Sequence, residues 1–297
     1  MRKTLIRRLW SRKTLIILLV ILLPFLLLSR CVMFRISDEK AAKSFENFPI
    51  KPSFHYYKCK LEGQHTWKMH YVEIGSDTLP MVVFVHGSPG SWDAFISYFK
   101  DSTLLKKARL LSVDRPGYGY SDFGHAETSV KRQAALLAEV LRLNKSSKLP
   151  ILVGHSLGGP VIARMAMDYP SLVGGLVLVA PSIDPALERK EYYRYALKFS
   201  LISLLMPREF DVSNREIQAF KHGLVKMLPY WKNIRVPVTV IQGESDNLVD
   251  PRNADFAVKM LINADNLRVI RLPNVNHFIP WSHPQVIQQA ILKHLAD

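Results

Sequence analysis

The chain has 297 residues, 48% of them hydrophobic, with a formal net charge of +15 at pH 7. That length and apolar content suit a folded domain with a sizeable core and exclude a disordered or fibrous chain. Two cysteines allow no disulfide framework and no zinc-ligand spacing, and the sequence shows neither a phosphate-cradling glycine loop nor a nucleic-acid motif. The expected chemistry therefore needs no cofactor and no metal, and no nucleic-acid partner is expected.

The chain opens on a basic stretch, Met1 to Lys13, followed by an apolar run from Leu15 to Leu28 that only Pro24 interrupts. The run is short for a membrane helix, which takes about 20 residues. Arg30 can snorkel, which would let Cys31–Phe34 extend the span. Residues 1–35 therefore read as a cytoplasmic basic tail and an uncleaved signal anchor, with the folded domain on the non-cytoplasmic side, periplasmic or extracellular in a bacterium or lumenal in a eukaryote. The alternatives are a lipoprotein at Cys31, for which Arg30 is a poor neighbour, and a secreted protein. Eight Lys and Arg and no acid fall in residues 1–35, so +7 remains for the rest of the chain and much of the excess is topogenic. Residues 36–64 read as a linker with an accessory strand at Phe54–Lys60, leaving 65–297 for one domain.

Met81–Val85 is an apolar, β-branched run expected as a strand, and His86-Gly87-Ser88-Pro89-Gly90 follows it as a loop. Such a loop can offer backbone N–H groups to an oxyanion, here that of Ser88. His86 reads as a brace within the loop. The strand Leu110–Val113 leads into Asp114-Arg115-Pro116-Gly117-Tyr118-Gly119-Tyr120-Ser121, a structural turn whose acid and base could brace each other.

Leu149–Val153 predicts a buried strand, and a helix begins near Gly159 with Pro160 in its first turn, where a missing N–H costs nothing. Between them stands Gly154-His155-Ser156-Leu157-Gly158. A serine between two close glycines at a strand-to-helix turn is a nucleophile elbow: the strained turn lifts the hydroxyl clear of the sheet at a helix N-terminus. His155 reads as a packing residue, and the N–H of Leu157 as the second oxyanion donor. A serine hydroxyl near pH 7 needs a base, and the base needs an acid to fix its tautomer.

Those partners are sought downstream. After the strand Gly175–Ala180 the strand–helix alternation stops, and residues 181–233 predict helices at about Pro185–Met206 and Asn214–Leu228. Val236–Ile241 is the next strand, and Asp246 in the polar loop after it is the expected acid. Asp250 precedes Pro251 and looks like a helix N-cap, Asp184 is a second rival, and Glu244 comes too early in its loop. Leu267–Leu272 is another strand, and His277 in the following loop is the expected base. His283 is the fallback for the base, but it stands directly before Pro284, where the last helix starts. Trp92, Phe278 and Trp281 flank these loops and are candidates for the wall of a substrate pocket, which suits a small molecule with an apolar acyl or aromatic group.

Taken together, HGSPG at 86–90, DRPGYGYS at 114–121, GHSLGG at 154–159, the Asp246 loop and the His277 loop resemble the α/β-hydrolase fold family, in the family's order and over roughly residues 65–297. Asn276 stands before His277 where many members carry glycine. The resemblance implies an α/β fold, a mainly parallel twisted sheet flanked by helices, with a helical lid inserted after the strand ending near Ala180. It implies a serine hydrolase that cleaves a carboxylic ester or related acyl bond through Ser156, His277 and Asp246. Epoxide hydrolases and haloalkane dehalogenases of this fold use aspartate at the elbow, so Ser156 argues against both. A lactone or carbon–carbon bond hydrolase remains the enzymatic alternative, and a non-catalytic binding protein the alternative of another class.

Overall fold

The computed structural model describes residues 33–61, 63, 65–188 and 206–296, with six isolated positions between 16 and 28. Eight strands form one sheet: β1 Ser53–Lys60, β2 Thr66–Ile74, β3 Met81–Val85, β4 Arg109–Val113, β5 Ile151–His155, β6 Gly175–Val179, β7 Val238–Gly243 and β8 Leu267–Leu272. Their spatial order is β1-β2-β4-β3-β5-β6-β7-β8. β1, β2 and β4 pair antiparallel, and every pairing from β4 through β8 is parallel. The sheet carries α1 Asp38–Ser44, α2 Ser102–Leu105, α3 Val130–Ala138, α4 Gly158–Asp168, α5 Arg208–Met227, α6 Asn253–Met260, α7 Ile279–Ser282 and α8 Pro284–Ala296. This is the expected α/β architecture.

Both faces of the sheet are covered, which is why the central strands read as continuous apolar runs rather than alternating ones. Strand pleating sends Met81, Val83 and Val85 of β3 into one core layer with α3, α4 and α5. Val82 and Phe84 enter the other, with Trp92, Phe95 and α8. Local signals fix the helix starts. Ser129 Oγ accepts from the N–H of Arg132 at the head of α3, and Ser37 Oγ accepts from that of Lys40 at the head of α1.

β3 lies between β4 and β5, so the chain runs from it to β4 on one side and then crosses back to β5 on the other. The strand order reverses there, and a crevice opens outside the carboxyl ends of the neighbouring strands. The loops after β3 and β5 are those of His86 and Ser156.

Several elements differ from expectation. The segment 36–64 is more than a linker with a strand, because α1 buries Ala41 and the following Phe45 in the second core layer. β5 continues through His155, two residues past the expected end, because the ladder with β6 extends to His155 opposite Val179. α5 starts at Arg208 rather than Asn214. Asp250 does not cap α6; Arg252 occupies that position, and Asp250 Oδ1 accepts its N–H at 3.0 Å. Most of the helix expected at Pro185–Met206 lies outside the described residues, as does most of the apolar run Leu15–Leu28. Among the described residues no helix is long and apolar enough to cross a membrane. Phe34, expected to extend the apolar run, docks on the folded domain instead.

Candidate active site

Ser156 follows β5 at φ 54°, in the left-handed region that a side chain enters only under strain. The glycines around it answer to close packing. A Cβ on Gly154 would lie 2.6 Å from the Gly158 carbonyl oxygen, and one on Gly158 would lie 2.3 Å from that of Val85. Those two contacts press the head of α4 against the ends of β3 and β5, and only glycine permits them.

His277 and Asp246 arrive from the far side of the sheet, from the loops after β8 and β7. Their side chains meet at 2.7 Å, His277 Nδ1 to Asp246 Oδ2. The other oxygen, Asp246 Oδ1, accepts the N–H groups of Leu248 at 2.9 Å and Val249 at 2.8 Å. A carboxylate gripped this way holds one orientation and leaves Nε2 as the free nitrogen of the imidazole. Ser156 and His277 open on the same cavity, of about 760 Å³.

His155 does more than pack. Its Nε2 donates to the His277 carbonyl at 3.0 Å, tying the elbow to the His277 loop. Burial, reinforced by the nearby His277, pushes its pKa down to about 3, so it stays neutral and keeps one fixed tautomer.

The loop after β3 is held from below. His86 Nε2 accepts the N–H of Arg115 at 3.0 Å, so its Nδ1 carries the proton and donates to the Gly87 carbonyl at 2.7 Å. Burial holds His86 well below its ordinary pKa. Arg115 Nη2 donates to the same carbonyl at 2.9 Å. A planar trans peptide points its N–H opposite its carbonyl. With Gly87 C=O fixed toward Arg115, the N–H of Ser88 is aimed away from the buried network.

That network corrects one expectation: Asp114 and Arg115 do not brace each other. Arg115 is fully buried and pairs with Glu216 of α5, while Gln133 and Tyr118 donate to the same carboxylate. Burial alone would raise the Glu216 pKa, but the charge of Arg115 and these hydrogen bonds outweigh it and leave it below its ordinary value. Asp114 faces another partner, His70 Nδ1 at 2.7 Å, and accepts the N–H groups of Trp92 and Tyr120.

Of the three pocket candidates, Phe278 and Trp281 line the cavity, each about half exposed. Trp92 does not. It is fully buried against Phe54 and Phe99, because the short helical turn that it opens packs on β4. The rivals for the acid, and His283 as the rival for the base, stand apart from the His277–Asp246 pair. Asp184 Oδ1 accepts the N–H of Ala186, Asp250 pairs with Arg252, Glu244 is exposed, and the ring of His283 bonds Ser282. Sequence reasoning missed Phe34, Ile217 and Leu248 in the wall and Glu216 beneath it. Phe34 was read as part of the anchor. A glutamate amid the apolar positions of α5 was the available signal for Glu216.

A model of the α/β-hydrolase fold matches residues 80–202. Epoxide hydrolase 1 of Caenorhabditis elegans is 31% identical over 77% of this chain and 68% of its own length. Monoacylglycerol lipase ABHD6 of Homo sapiens is 24% identical over 73% of this chain and 76% of its own. Among solved structures, a bacterial membrane phospholipase A superposes with a TM-score of 0.61 at 17% identity, covering 100% of both chains, a likeness of fold. The chain belongs to the α/β-hydrolase fold family. It is a hydrolase of that family.

Proposed function

We propose that the chain cleaves a carboxylic ester through Ser156, His277 and Asp246. One observation carries the reading: an imidazole held by a fixed carboxylate shares a cavity with a serine on a strained elbow. Ser156 Oγ attacks the acyl carbon as His277 Nε2 takes its proton, and Asp246 stabilises the imidazolium. The N–H groups of Ser88 and Leu157 hold the oxyanion. The C–O bond then breaks, and His277 returns the proton to the leaving alcohol. Water attacks the acyl-enzyme with His277 again as base, releasing the acid and the free serine. A serine at the elbow favours this course over epoxide opening, for which this fold uses aspartate. Residues 181–233 act as the lid, whose helix α5 contributes Ile217 to the cavity wall.

Fluorophosphonate labelling of the full chain in detergent tests the nucleophile. Wild type labels and Ser156→Ala does not; labelling of both, or of neither, overturns the reading. p-Nitrophenyl acetate, butyrate and octanoate then test the apolar acyl group, and a strict preference for acetate rejects it. A panel of lactones and carbon–carbon bond substrates separates the alternatives.

We further propose that residues 1–32 anchor the chain in a membrane with the catalytic domain on the non-cytoplasmic side. The basic stretch before Leu15 and the apolar run after it support this orientation. A reporter fused after Asp297 that proved cytoplasmic would reverse it.

A further inference from the structure

Residues Met33 to Asp38 form a strap that ends the N-terminal segment at the catalytic cavity. Phe34 stands in the cavity wall, and its N–H donates to Glu209 Oε2 at 3.0 Å. The N–H of Ile36 donates to Asp93 Oδ2 at 3.1 Å, and that of Asp38 to Tyr120 Oη at 3.2 Å. Arg35 lies over the Tyr120 ring, 3.8 Å from its centroid. The strap is therefore docked from Phe34 to Asp38.

Large apolar side chains stand open beside it. Met33, Phe34, Phe210, Leu248, Phe278 and Trp281 are exposed by 41% to 64%. Phe34, Leu248, Phe278 and Trp281 line the cavity, so their exposed faces form its rim. Phe210 packs edge-on against Phe34 at 5.1 Å, and Phe278 meets Trp281 at 5.9 Å. Exposed apolar side chains grouped around a cavity are costly in water and mark a surface that something covers. The chain itself indicates what. The steps from Leu28, the end of the apolar run, to Met33 beside the rim span at most about 18 Å of extended backbone. A bilayer holding that run lies within reach of the rim.

We propose that the rim of the cavity inserts into the membrane surface, and that the substrate is an ester-bearing amphiphile entering from the bilayer. This rests on the anchor and the serine-hydrolase readings. The strap would set the mouth against the lipid, so that the scissile ester reaches Ser156 while the acyl chain stays in apolar surroundings.

Trp281 reports the position directly. Trp67, Trp92 and Trp231 are buried, so a full chain carrying Trp10→Phe has Trp281 as its exposed tryptophan. In vesicles of phosphatidylcholine with brominated acyl chains, the Trp281 share of the emission should be quenched, and Trp281→Phe should remove the quenchable share. Co-flotation with the vesicles but no quenching overturns the proposal. Failure to float overturns it through the anchor, and fluorophosphonate labelling of Ser156 in the same sample tells separately whether the hydrolase reading survives. A dimer seen by light scattering, with Trp281 unquenched, gives the rim to a second copy instead. Met33→Asp with Phe210→Asp, both outside the cavity wall, should lower turnover of p-nitrophenyl palmitate in vesicles at least about tenfold. Turnover of p-nitrophenyl acetate in water should stay within about twofold. Equal loss on both substrates overturns the proposal.

Discussion

Among the described residues, two buried histidine–aspartate pairs share the same local geometry. His277 meets Asp246 at 2.7 Å, and His70 meets Asp114 at 2.7 Å. In both, the carboxylate also accepts two backbone N–H groups. Their surroundings differ. His277 opens on the cavity with Ser156, whereas His70 and Asp114 are fully buried beneath the turn 114–121. A fixed imidazole becomes a candidate base only where a nucleophile and a substrate can reach its second nitrogen; elsewhere the same pair is a structural clamp.

Substituting both acids draws that distinction most sharply. Asp246→Asn should lower kcat by about ten-thousand-fold, since the imidazole loses its tautomer and its counter-charge. Asp114→Asn should leave kcat of the folded protein within about threefold and cost about 3 kcal/mol of stability, because a buried acceptor of three hydrogen bonds is disrupted. Kinetics on p-nitrophenyl butyrate and urea denaturation of both variants decide it. A catalytic loss at Asp114 exceeding its stability loss would break the comparison.

A smaller effect is expected at the support of the oxyanion loop. Glu216→Gln leaves Arg115 buried without a counter-charge, which typically costs about 3–5 kcal/mol. Because Arg115 also holds the Gly87 carbonyl, kcat should fall about tenfold with KM little changed, as when one oxyanion donor is loosened rather than removed. An unchanged kcat alongside a lowered melting temperature would make Arg115 a clamp like His70.

The smallest effect concerns pH. His155 has its pKa lowered from 6.5 to about 3 in the folded protein. Below pH 6.5 the unfolded chain takes up a proton there that the folded chain refuses. Stability from this group is therefore complete above that pH and is lost as pH falls toward 3. At pH 4.5 the loss is about 3 kcal/mol. Urea denaturation at pH 7.5 and 4.5 should show a shallower pH dependence for His155→Gln than for wild type. Identical dependence would mean the imidazole is not the group excluded from protonation.

Much of the site was legible because its residues sit at fixed places relative to local punctuation. The elbow announces itself through Gly154 and Gly158, whose spacing reflects the close approach of α4 to β3 and β5. Asp246 and His277 each follow an apolar run that ends in a polar loop, so strand periodicity marked their loops while leaving Asp184 and Asp250 as rivals for the acid. The hydrogen-bond partners of DRPGYGYS were not legible. Adjacent Asp114 and Arg115 diverge, one to β2 and the other to α5, and adjacency in sequence carries no information about that.

What the sequence determined by itself was the succession of strands and loops along the chain, the serine at its strand-to-helix turn and the two polar loops that carry Asp246 and His277, because local geometry and hydrophobic period act over a few residues. The tertiary structure decided which wall each side chain joins. It buried Trp92, placed Phe34 in the cavity wall, and set Glu216 beneath the loop 86–90. Those placements depend on contacts between segments up to 175 residues apart, as between Phe34 and Glu209, and such contacts form only when the sheet has closed.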